Sequence, residues 1–518
     1  MRRTPVMRGA KSLTISAALL SLAGCTVGPD YHQSVSTAPS TWHQSLAAAQ
    51  SHIVETGAAP SWWTLYNDPI LTKLEQNVAQ ANLDLRIASE RFGESVAERA
   101  IAKAAQLPHS ELAASYARER ASPNGVLGLL GTMEEQGAGN IANGEQGFGP
   151  ARLPGSSGSN AFNLPQYGMS ASWEVDFWGH VRRQVEAATA AMQAQEDMRR
   201  NVLVSLMAET AQDYIALRGV QAQIAITRQN LDIARDSVRL TQLRFSQGAA
   251  TRLDVADATG QYHSFEARLP VLQSQEVHLV NALCFLVAKP PGSLKTELGE
   301  AGDIPPVPHT IPTGLPSELA ERRPDIRMAE EKLHAATASV GVAIADFLPR
   351  ITLSGSLDIQ ALQFSGLGSW ASRQYGFGPT ATIPLFEGGR LRGQLKLRRM
   401  QEKEAAIDLQ RTVLKAWQEI DDSIADLSAA QTRRDRLQAA VSENRVAVDI
   451  ARRQYAEGAG DFLHVLTMQN ALLATQSELV QATASVSESV AHLYRALGGG
   501  WEQAYPLTAS APQKAPLL

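Results

Sequence analysis

Acidic residues and one histidine follow two glycine turns. After Gly248 and Ala249 come Arg252, Asp254 and Asp257; after Gly458 and Ala459 come Asp461 and His464. Carboxylates brought close together repel, so they need cations, protonation or basic partners, and they favour cations nearby. Thr251-x-x-Asp254 also has the form of a capping box, and a helix N-terminus welcomes acids for that reason alone. His464 would make the second turn sensitive to pH, or is simply an exposed helical residue. Cys25 offers different chemistry. Arg2, Arg3, Arg8 and Lys11 precede a short apolar run over 13–23, which closes on Leu22-Ala23-Gly24-Cys25. That is the form of an export signal with a lipid-attachment cysteine, cleaved before Cys25. An ordinary signal with an incidental cysteine is the other reading.

No catalytic constellation is visible, and no cofactor or metal is expected. Gly376-Phe377-Gly378-Pro379-Thr380-Ala381 imitates a dinucleotide fingerprint but lies in a strand-like run and opens no helix. The 11 histidines lack zinc-site spacing. Gly155-Ser156-Ser157-Gly158 is loop composition, not a nucleophile elbow. Cys284 is the one other cysteine; with Cys25 lipidated no disulfide is available, and its place suits an apolar helix face. A net charge of -5 argues against nucleic acid as a partner. Beyond the leader no segment has the ~18 consecutive apolar residues of a membrane helix, so a bilayer crossing would need a closed β-barrel.

The elements that position the turns are duplicated. Segments 173–184 and 383–394 match at an offset of 210, which also puts Phe245 on Tyr455, Gly248 on Gly458, Leu253 on Leu463 and Val255 on Val465. Upstream, Asp84, Arg86, Ala88 and Pro108 match Asp325, Arg327, Ala329 and Pro349 at 241. The 31-residue difference between the offsets is extra length in the first of two hairpin loops, rich in Gly, Asn, Ser and Pro over 122–160. Each copy reads as a helix (69–107; 315–347), a strand (109–121; 351–363), a second strand (161–178; 373–386), a long helix, a glycine turn and a return helix (252–288 in the first copy). Ile351, Leu353, Leu357 and Ile359 alternate as a two-faced sheet requires.

The long helices carry apolar residues at sevens. The first copy has Leu203, Thr210, Leu217, Ile224, Leu231, Val238 and Phe245; the second has Val413, Ile420, Leu427, Arg434, Val441, Val448 and Tyr455. Sustained heptads mean helices in left-handed coiled coils. A helix over 179–247 spans roughly 100 Å, and the half-length helices roughly 55 Å each. Two short helices would therefore stack beside one long one, with the strands at one end, the turns at the other, and 26–68, 289–314 and 498–518 near the middle. Pro270 predicts a kink. Two hairpins give four strands, too few to close a pore. Three chains would give a twelve-stranded barrel continued by a helical tube.

The ordered motifs resemble a known family. Cys25 is followed by Val27-Gly28-Pro29-Asp30-Tyr31; then come Trp62-Trp63 with Asp68-Pro69, the run 172–179, Arg322-Arg323-Pro324-Asp325-Ile326 and Leu385-Phe386-Glu387-Gly388-Gly389-Arg390. Over nearly the whole mature chain these are similar to TolC-like outer-membrane factors of the NodT-type lipoprotein branch. The resemblance implies an α+β membrane protein: a homotrimer with a 12-stranded outer-membrane β-barrel, four strands per chain, continued by a long periplasmic α-helical coiled-coil barrel. It implies a non-enzymatic exit duct of a tripartite efflux system, passing small toxic compounds received from an inner-membrane pump through a periplasmic adaptor (membrane-fusion) protein. Expected partners are those proteins, two further copies of the chain and outer-membrane lipid. Thr26, not Asp, after Cys25 implies forwarding to the outer membrane. By position, Gly248, Ala249, Gly458 and Ala459 match the adaptor-contacting tips, and Arg252, Asp254, Asp257, Asp461 and His464 the periplasmic gate. Where acidic gate residues are common, the second copy has His464 and Thr467, with Asp461 displaced towards the turn.

The expected organisation is a signal peptide over 1–24, a lipidated segment over 25–68, a first repeat over 69–288, a linker over 289–314, a second repeat over 315–497 and a tail over 498–518. Trp173, Phe177 and Trp178 read as an interfacial girdle or as packing against the helix start. Arg182, Arg183, Arg390 and Arg392 read as facing headgroups or water. A type I protein-secretion duct and a structural coiled-coil lipoprotein without a pore are the alternative functions.

Overall fold

The structure, a computed structural model, describes residues 26–32, 52–54, 57, 59–120, 122, 161–314 and 322–506. Cys25 and all of the 122–160 loop except Ser122 lie outside the described residues. In chain order the elements are β1 (His52–Val54), a 3-10 turn (Trp62–Tyr66), α1 (Pro69–Ala81), α2 (Leu83–Ala104), β2 (His109–Glu119), β3 (Phe162–Glu174), α3 (His180–Ser246) and α4 (Arg252–Leu286). Then come α5 (Lys295–Leu298), β4 (Thr310–Pro312), α6 (Pro324–Ala345), β5 (Arg350–Gln360), β6 (Arg373–Thr382), α7 (Arg390–Ala456) and α8 (Phe462–Ala496). Both long helices have 67 residues and both return helices 35, each pair displaced by the offset of the sequence repeat. Helix α4 continues through Pro270 as a single helix.

The chain divides into two compact units. Among the described residues, one holds those from Thr26 to Tyr31 with those of Ala97–Thr189 and Ala335–Glu402. Its centre is an antiparallel sheet in the order β2-β3-β5-β6, the two hairpins joined through β3 and β5. The sequence placed 26–68 in the middle of the molecule, yet Thr26–Tyr31 belongs to this strand-bearing unit. The Val27 N–H donates to the Trp178 carbonyl at 3.0 Å. A Cβ on Gly28 would come within 2.5 Å of Gly341 Cα, and one on Gly179 within 2.6 Å of the Thr26 methyl. Close backbone approach of this kind needs glycine.

The other unit holds His32–Val96, Ala190–His334 and Lys403–Leu518. Its largest core gathers Trp62, Tyr66 and Trp501 with Leu203 and Leu217 of α3 and Leu493 and Tyr494 of α8. Trp62 stacks on Tyr494 with centroids 5.4 Å apart. Heptad residues Leu203, Thr210, Leu217, Ile224, Ile420, Leu427, Val441, Val448 and Tyr455 are buried, as the period requires. Phe245, the last of the first series, is exposed. Cys284 is buried and free.

Two local expectations change. The single helix over 69–107 is split at Asn82, whose side-chain oxygen accepts from the Leu85 N–H at 3.0 Å while its amide donates to the Leu286 carbonyl at 2.8 Å. Asn caps a new helix readily, and here it also serves a neighbouring helix end. The segment over 25–68, for which the sequence predicts no strand, contains β1, which pairs in parallel with β4, Ile53 opposite Ile311.

Candidate conduction surfaces: a two-faced sheet and two helical tips

Successive residues of a strand point to opposite faces, so the sheet register sorts every side chain. One face carries rows running across all four strands, such as Leu112-Met169-Leu357-Tyr375 and Ser110-Ala171-Gly355-Phe377. The other carries Glu111-Ser170-Ser356-Gly376, His109-Ser172-Ser354-Gly378 and Ala113-Gly168-Asp358-Gln374. In the single chain the apolar face is open: Leu112 is 80% exposed and Phe377 85%. An exposed apolar face of this size marks contact with a partner or with lipid. The Gly-Phe-Gly run at 376–378 lies within β6, so the dinucleotide reading has no helix to open.

Where the strands meet the helices, charges pair with each other. Arg183, 3% exposed, is ion-paired to Asp30 and to Glu186 at 2.7 Å, and Arg182 lies 3.3 Å from Asp176. Arg390 pairs with Glu387. These three arginines are therefore held by protein carboxylates; Arg392 is exposed and makes no ion pair among the described residues. The Trp173 indole N–H donates to the Gln106 carbonyl at 3.0 Å, and that of Trp178 to Pro349 at 2.8 Å. Packing at the junction thus fixes both rings, while Trp173 also lies in an apolar row with Leu353 and Pro379.

In the helical unit the two glycine turns lie together. Gly248 (φ 72°) and Gly458 (φ 76°) take the left-handed conformation that ends a helix. The Ala249 and Ala459 N–H groups donate back to Arg244 and Gln454, and Gly248 and Gly458 to Phe245 and Tyr455, giving each helix a Schellman cap. Arg244 reaches across from the first turn: it donates to the Tyr455 carbonyl, and its guanidinium stacks 4.5 Å from the Tyr455 ring. Behind it Ala258, Ala451, Tyr455, Phe462, Val465 and Leu466 form a small core shared by both turns. Arg244 and Tyr455 were not singled out from the sequence; Tyr455 read as a heptad residue, and the contact joins positions 211 apart.

Thr251 accepts from the Asp254 N–H at 3.2 Å, and Asp254 accepts from the Thr251 N–H at 2.7 Å, a complete capping box. The equivalent of Thr251 is Asp461, which caps α8 directly by accepting from the Leu463 N–H at 3.4 Å. An aspartate at the cap needs no acid three residues on, and that place is taken by exposed His464. Asp257 is half-buried one turn into α4, and Arg252 is exposed at its first residue. Gly248, Ala249, Gly458 and Ala459 are all exposed.

Among the described residues no helix is long and apolar enough to cross a membrane, which says nothing against the sheet. The family model for outer membrane efflux proteins matches residues 74–288 and 315–499. The toluene efflux pump outer membrane protein TtgC of Pseudomonas putida is 30% identical over 520 residues, covering 97% of this chain and 98% of its own. Nodulation protein T of Rhizobium leguminosarum bv. trifolii is 28% identical over 489 residues, covering 93% and 96%. The solved structure of the outer-membrane channel OprN superposes with a TM-score of 0.81 at 30% identity, over 92% of this chain and 100% of that one. With a duplicated helical scaffold, a four-stranded sheet of two unlike faces and this likeness along nearly its whole length, the chain belongs to the outer membrane efflux protein family.

Proposed function

We propose that the chain works as a homotrimeric exit duct, passively conducting small toxic compounds from a periplasmic adaptor and an inner-membrane pump to the cell exterior. The observation that carries this reading is the sheet, with apolar rows on one face and Ser, Gly, Gln and carboxylates on the other. Its edge strands β2 and β6 are unpaired in one chain. Closing three copies edge to edge removes the edges, turns the apolar face to lipid and leaves a polar lumen. A related protein described as the outer membrane protein of a toluene efflux pump supports a pump as partner. Cys25, lipidated, anchors the N-terminus to the outer membrane. The halves 69–288 and 315–497 are the two repeats, and the paired turns at Gly248 and Gly458 are the adaptor-facing tips.

At the tips Arg252, Asp254, Asp257, Asp461 and His464 form the entrance, with Asp254 and Asp257 as its acidic rings. Replacing Asp254 and Asp257 by Ala is expected to raise single-channel conductance in planar bilayers and to reduce cation preference, because it removes the charges an aqueous constriction would feel. Unchanged conductance and selectivity would leave helix capping as their role. A monomeric product that does not conduct would sink the duct itself.

A further inference from the structure

Charge on the apolar face of the sheet is confined to one end. Arg118 follows Leu112, Ala114 and Tyr116 at the two-residue period of β2 and shares their face. Arg373 opens β6 in the row Ala114-Tyr167-Ile359-Arg373 on that face too. Both lie at the end from which the hairpin loops leave. The strand carboxylates Glu111, Glu119, Glu174 and Asp358 all fall on the opposite face. Arg118 makes no ion pair among the described residues. Arg373 donates to the Trp370 carbonyl at 2.7 Å and stacks 4.7 Å from its ring, and that indole is 69% exposed. Beside Arg118, Tyr116 stacks on Phe364 with centroids 5.6 Å apart.

A guanidinium on a lipid-facing surface is costly at mid-membrane and tolerated at the interface, where exposed aromatic rings also settle. Its planar fork matches phosphate oxygens two at a time. The hairpin end is the end away from the helices, so in the duct proposed above, on which this inference rests, it meets the outer leaflet. β2 and β6 are the edges of the sheet, the strands that closure of the trimer brings together. We propose that Arg118 and Arg373, with Trp370, bind the phosphate groups of an outer-leaflet glycolipid, one at each seam of the trimer. The exposed indole offers the flat face on which a sugar ring packs.

The test uses the full-length trimer in detergent, titrated with bis-phosphorylated lipid A, with the same lipid dephosphorylated, and with phosphatidylglycerol, bound lipid being counted by native mass spectrometry. The wild-type protein is expected to favour the phosphorylated glycolipid by at least about tenfold, near the contribution of two arginines at a charged lipid surface. Arg118→Ser with Arg373→Ser should remove that preference, and Arg118→Lys with Arg373→Lys should keep only part of it, because lysine retains the charge without the planar fork. Equal affinity of the wild-type protein for the two forms of lipid A would overturn the proposal. So would a preference that survives in the Ser variant, or phosphatidylglycerol bound as tightly as phosphorylated lipid A. Conductance of the same preparations is measured in parallel. A wild-type trimer that conducts but shows no preference refutes this site alone, whereas failure to conduct refutes the duct on which it rests.

Discussion

Glu75 stands in surroundings its side chain disfavours. It is fully buried, in α1, and neither carboxylate oxygen has a hydrogen-bond partner among the described residues. Burial pushes its pKa well above the usual carboxylate range. An acid whose pKa is raised by folding stabilises the fold while both states are protonated, and that contribution is lost as pH rises through the folded pKa. Glu75→Leu should therefore be more stable than the wild-type protein at pH 8, by about 1–3 kcal/mol, the cost of an unsatisfied buried polar group. The gain should shrink towards pH 5. Thermal unfolding of both proteins at the two pH values checks it, and a gain over the wild-type protein no larger at pH 8 than at pH 5 contradicts it. The tips make a related point about single residues. Asp254 and Asp461 both cap helices, one through a box and one directly, so the acid missing at 464 reflects a different way of capping.

The repeated elements differ where one copy lacks the residue its geometry asks for. Helix α8 ends with Gly498 in the left-handed conformation at φ 69°; the matching residue after α4 is Ala288, at φ 55°. The hydrogen bonds are the same: Ala288 donates to Phe285 and Lys289 to Cys284, as Gly498 does to Arg495 and Gly499 to Tyr494. An L-residue in that conformation costs about 1–2 kcal/mol, part of which glycine gives back in chain entropy. Ala288→Gly is expected to stabilise the protein by about 0.5–1 kcal/mol, measured by denaturant unfolding. A loss of stability would mean that the Ala288 methyl packs usefully. Other features of the elements were not readable in advance. Asn82 splits a helix because it bonds to Leu286, and three-residue strands such as β1 show no periodicity until a partner lies beside them.

For the whole molecule, the sheet decides whether the chain enters a membrane. Leu357→Asp, on the apolar face, should abolish assembly of conducting trimers, since a charged side chain facing mid-bilayer is destabilising and recurs in each of three copies. Ser356→Asp, one residue away on the polar face, should assemble normally and raise cation selectivity. Heat-modifiable mobility on gels and bilayer conductance read both outcomes; equal behaviour of the two variants would mean that the faces are not lipid and lumen.

The sequence by itself determined the duplication, the four strands, the paired long and return helices and both glycine turns, because these rest on short-range periodicity and on residues with special backbone freedom. Alternation in β5 already assigned its two faces. What only the tertiary structure decided are contacts between residues far apart in the chain. Arg183 becomes a buried clamp for Asp30 instead of a headgroup ligand, residues 26–31 fold against the strand–helix junction, and Arg244 ties one tip to the other through Tyr455. A side chain's type fixes what it can pair with. Which partner it meets depends on where distant segments of the chain come together, and no local pattern encodes that.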